Sequence, residues 1–156
     1  MLSRAGAVLA GGAIAGAIDI TYAIVYSYLR ARVAPMTLLQ YVASGLVGPG
    51  AFQGGAPMAA LGLALHFFIA FSAAAVYVVA AQSLPVLAQR PVLCGVSYGV
   101  LVFAFMNLVV IPLSRTQPRT SISMLTLSTG LLVHMFGIGL PIALAARRAF
   151  AGQIMN

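Results

Sequence analysis

The chain has no glutamate, no lysine and a single aspartate among its 156 residues, against eight arginines. One carboxylate leaves no acidic pair. Neither a GxSxG nucleophile motif nor a phosphate loop is present, so no hydrolase or transferase is expected and the chain does not read as an enzyme. Cysteine is almost as scarce. The lone Cys94 can form no internal disulfide, has no second cysteine for a metal site, and reads as a small hydrophobe in a helix. Charge is sparse as a whole, at 6% of residues, which is too little for a soluble domain.

Apolar residues fill the space left by charge. They make up 62% of the chain, and the mean hydropathy is +1.07. A membrane span takes about 20 apolar residues, and four runs meet that length: 5–29, 57–81, 91–113 and 122–146. The expectation is an all-α, polytopic four-helix membrane bundle forming one transmembrane domain over 1–156. The first run follows one arginine, as a secretory signal would. It is too long for a signal core and holds Asp19, so it reads as a retained span.

Between the first two spans, Thr37 is a candidate cap for a short amphipathic helix. Gly45-Leu46-Val47-Gly48-Pro49-Gly50 and Gly54-Gly55-Ala56-Pro57 then break any straight helix. The segment is too apolar for a solvated loop, so 36–56 reads as a short interfacial or re-entrant element. Pro141 is expected to kink the fourth span. The most polar loop runs from Ser114 to Thr120.

The eight arginines sit at span ends, where they reach headgroup phosphates, and form no cluster suited to nucleic acid. The lipid bilayer is the expected partner, and self-association into a homo-oligomer is compatible with the composition. Arg4, Arg90, Arg147 and Arg148 face one side, and Arg30, Arg32, Arg115 and Arg119 the other, so the positive-inside rule ties. Arg147 and Arg148 abut the last span and tilt the choice toward cytoplasmic termini.

Asp19 is the one charge between Arg4 and Arg30. A carboxylate at membrane depth costs about 2.5–3.5 kcal/mol on insertion scales and needs a partner, a proton or water. Gly12 and Gly16 form a GxxxG pair on the face that carries Asp19, so this face is expected to pack against a neighbour. With about 1.5 Å of rise per residue, Asp19, His66, Asn107 and His134 fall within a layer roughly 8 Å thick. Such a layer reads either as interhelical glue or as a functional buried polar site. No metal is assigned to it, because the ligand spacing is non-local.

The strings GGAIAGAIDITYA, LLQYVASGLVGPGAFQGG, ALGLALHFFIAFSAAAVY and HMFGIGLPIALAARR cover most of the chain. Together they resemble a family of small four-span bacterial inner-membrane proteins of uncharacterised activity, the YagU-like group. The resemblance implies a bacterial inner-membrane location. It supplies neither a mechanism nor catalytic residues.

Three functions compete. The first is proton-coupled or small-solute permeation through the polar layer, with Asp19 and His66 as titrating groups. The second is a redox protein holding a b-type haem between His66 and His134. The third is a non-catalytic membrane assembly partner. The first needs no cofactor and is the main reading.

Overall fold

Ser3 starts the first helix: its hydroxyl accepts from the Gly6 N–H at 3.0 Å, satisfying one of the donors a helix start leaves open. The computed structural model describes residues 2–116 and 123–154. Helix α1 spans Arg4–Ala31 and ends on Arg32, whose φ of 54° is left-handed. That turn returns the Arg32 N–H to the carbonyls of Ser27 and Tyr28, closing the helix as a glycine would.

Helix α2 spans Pro35–Val47. Thr37 does not cap it. The cap position is Ala34, with no side-chain bond, because Pro35 enters the first turn with its φ already helical and no N–H to satisfy. A 3-10 turn follows at Pro49–Gln53. Gly48 (φ 82°) and Gly55 (φ 56°) bracket that turn in conformations that side chains disfavour. Helix α3 covers Gly55–Ser83 and a single turn, α4, covers Val86–Gln89.

Helix α5 runs over Pro91–Leu113, and helix α6 runs from Met124 to Ile154. Both widen into a π-helical stretch, at Met106–Val110 and at His134–Gly139. Each widening ends at a proline. The Ile111 N–H reaches back five residues to the Met106 carbonyl just before Pro112, and the Leu140 N–H to the Met135 carbonyl just before Pro141. The ring of a proline clashes with the carbonyl four residues earlier, and a wider turn relieves that clash. So Pro141 acts through a widened turn.

Helices α1, α3, α5 and α6 are each long and apolar enough to cross a membrane, which makes this a multi-pass membrane protein. Their outer faces carry exposed Leu9, Phe68, Leu93 and Leu108. Such side chains suit lipid. The fourth expected run began at 122, which lies outside the described residues, as do residues 117–120 of the expected polar loop.

The bundle differs between its two ends. At the end holding the start of α1 and the end of α6, small residues let the helices close on one another. Ala7, Ala74, Ala81, Ile142, Ala143 and Ala146 are buried there with Tyr77 and Phe150. The Tyr77 hydroxyl donates to the Leu87 carbonyl at 2.9 Å and Tyr98 to the Ala73 carbonyl at 2.8 Å, so the buried phenols are satisfied. Arg4 clamps this end, bonding Gln82 at 3.1 Å and lying over the Phe150 ring.

Residues 36–56, expected as an interfacial or re-entrant element, hold α2 and the 3-10 turn. Helix α2 packs on α3 where Gly62 leaves room for the Leu39 carbonyl. The Gln40 amide donates to the Gly55 carbonyl at 3.1 Å, and Gly45 accepts from the Arg115 N–H at 2.9 Å. These bonds fix α2 as one wall of the other end of the bundle.

Candidate functional site

That other end is hollow. A cavity of about 450 Å³ lies between the second half of α1, α2, the middle of α3, the second half of α5 and the first half of α6. It reaches the bundle end at Ser27, Gly45, Ser114 and Thr116, and it stops where the alanine-rich packing begins. Asp19, His66, Asn107 and His134 all line it. The four deep polar residues, each on a different span, therefore share one space.

Close packing of α1 on α3 sets the central pair. A Cβ on Gly12 would collide with Phe71, and one on Gly16 would lie 2.8 Å from the Phe67 ring. Both glycines are buried, as expected of the face that carries Asp19. The approach brings His66 Nε2 to 2.9 Å from the Gly16 carbonyl and its Nδ1 to 4.0 Å from Asp19 Oδ2.

The protons follow from these partners. A carbonyl only accepts, so His66 Nε2 carries a hydrogen. Nδ1, the other ring nitrogen, faces the Asp19 carboxylate. At 4.0 Å the two groups are not hydrogen-bonded, and the Asp19 oxygens have no hydrogen-bond partner among the described residues. Every fully buried side-chain nitrogen or oxygen there has a partner, so those oxygens are not sealed in protein; they face the cavity.

The other two members are oriented by their own helices. Asn107 donates its amide to the Phe103 carbonyl at 2.9 Å, so among the described residues it forms no bridge to a neighbouring helix. His134 Nδ1 donates to the Gly130 carbonyl at 2.9 Å, which makes Nε2 an acceptor in the neutral ring. Its ring lies edge-on to Phe103, with centroids 5.2 Å apart. Each histidine thus has one ring nitrogen held by a backbone carbonyl, His66 Nε2 by Gly16 and His134 Nδ1 by Gly130.

Sequence reasoning missed the hydroxyl bridges beside this site. Tyr22 meets Thr129 at 2.7 Å and Tyr26 meets Thr126 at 2.8 Å, joining α1 to α6 along the cavity wall. Thr129 gives its own proton to the Leu125 carbonyl at 2.7 Å, so Tyr22 is the donor in the first bridge. The signal was present: Asp19, Tyr22 and Tyr26 follow one another at helical spacing on one face. A second GxxxG pair, Gly95 and Gly99, also passed unremarked, though it is where α5 meets the π-helical stretch of α6.

No protein family, curated protein or solved structure matches the chain. The functional reading therefore stands on the geometry of the cavity.

Proposed function

We propose that this multi-pass membrane protein mediates proton-coupled or small-solute permeation, with Asp19 and His66 as the coupling pair. One observation carries the reading: Asp19, His66, Asn107 and His134, one from each span, converge on a single cavity that runs from the middle of the bundle to one end. A polar layer serving only as glue would pair its members with one another. Here the one carboxylate keeps its oxygens toward open space. Intramembrane ionisable groups with that placement mark substrate or proton paths.

The membrane we assign is a bacterial inner membrane, with the termini cytoplasmic and the cavity opening to the opposite side. No chemical transformation is assigned. The packed alanine-rich half is the barrier that a transport cycle has to open, by alternating access about the central pair.

Reconstituted vesicles test this. Wild-type protein is expected to carry a proton flux under an imposed gradient, and Asp19→Asn to reduce it at least tenfold while folding normally. Asparagine keeps the shape but neither charge nor exchangeable acid. Equal flux in the two forms, or none in either, would remove the proposal.

A further inference from the structure

The cavity's chemistry restricts what it can hold. Its volume, about 450 Å³, suits a small organic molecule. None of the described arginines lines it, and Asp19 is its one acidic residue. An anion entering there would meet the Asp19 carboxylate and no arginine among the described residues. A sugar would need many paired hydroxyl partners, whereas most of the lining side chains are apolar.

A bare metal ion fits no better. Hard cations take six or more oxygen ligands, and no group of three histidine, cysteine or acidic residues comes together among the described residues. What remains is a diffuse positive charge on an apolar body. Aromatic faces stabilise such a charge, and Tyr22, Tyr26 and Phe103 line the same cavity as Asp19. Two further lining groups can accept: the His134 ring at Nε2, its Nδ1 donating to Gly130, and Asn107 at its carbonyl oxygen.

We infer that the cavity binds a monovalent organic cation, with the charged group at Asp19 and the apolar body against Tyr22, Tyr26 and Phe103. The inference rests on the cavity being a solute site, as proposed above. Binding there leaves the His66 Nε2 bond to the Gly16 carbonyl undisturbed.

Three probes of one shape test this on the purified protein in lipid nanodiscs, with protein-free discs subtracted: benzyltrimethylammonium, its uncharged isostere neopentylbenzene, and the anion phenylmethanesulfonate. The cation should bind roughly tenfold or more tighter than the hydrocarbon, and the anion should not compete. Asp19→Asn should erase the preference and Asp19→Glu should retain most of it. If Asp19→Asn fails to fold, the wild-type ratio of cation to isostere decides alone. Equal affinity for the isostere, competition by the anion, or a preference that survives in folded Asp19→Asn overturns the inference. Proton flux that depends on Asp19 without cation preference overturns this ligand class and leaves the permeation reading. Cation preference without flux does the reverse.

Discussion

Gly99 faces the carbonyl of His134 so closely that a Cβ on Gly99 would overlap it, and the Met135 α carbon would stand 2.6 Å away. The glycine is thus what lets α5 touch α6 at the turn where α6 widens. Gly139 makes the reciprocal approach, against the Gly95 carbonyl and Gly99. Backbone meets backbone here, and neither side has a flexible side chain to move aside.

Gly99→Ala should therefore force the helices apart. Overpacking of this kind costs about 1–3 kcal/mol. Thermal unfolding in detergent micelles should show a lower midpoint for Gly99→Ala. Gly50→Ala serves as the control, because a Cβ at that position meets nothing within 4 Å. No shift relative to that control would mean the contact is looser than described.

His66 holds two roles that substitution can separate. Glutamine carries an amide that can donate to the Gly16 carbonyl, but it cannot take up or release a proton near neutral pH. His66→Gln should keep the thermal midpoint close to wild type and lose proton flux. His66→Ala should lose both the flux and the interhelical bond, an interaction worth about 0.6 kcal/mol in membrane bundles. Wild-type flux in His66→Gln would show that the imidazole proton is not part of the path.

The Tyr22–Thr129 bridge is suited to a double-mutant cycle. Tyr22→Phe removes the donor and Thr129→Val the acceptor, each with little change in shape. The coupling energy should be about 0.6 kcal/mol and no more than about 1.7 kcal/mol. A coupling near zero, measured by unfolding in detergent, would show that the two hydroxyls each find another partner once separated.

The spans were legible because apolar length is a direct physical requirement for crossing hydrocarbon, and the level of each polar group followed from helical rise alone. That is why Asp19 could be matched with His66, and why Asn107 and His134 joined them. Counting along a helix gives depth, but it does not give the space between helices. The cavity was invisible for that reason. It exists because α2 lies on α3 at Gly62 and because alanine packing closes only one half of the bundle. Pro141 announced a disturbance without its form, since a kink and a widened turn relieve the same clash.

The hollow and packed halves also divide the membrane electrically. Wherever water enters the cavity, it carries the potential of the bath it meets, and the field falls mainly across the alanine-rich half. Asp19, at the inner limit of the hollow, then sits close to the voltage of the open side. A cation reaching it from that side crosses little of the membrane potential. Passing on through the packed half takes nearly all of it, about 2.3 kcal/mol per charge for each 100 mV.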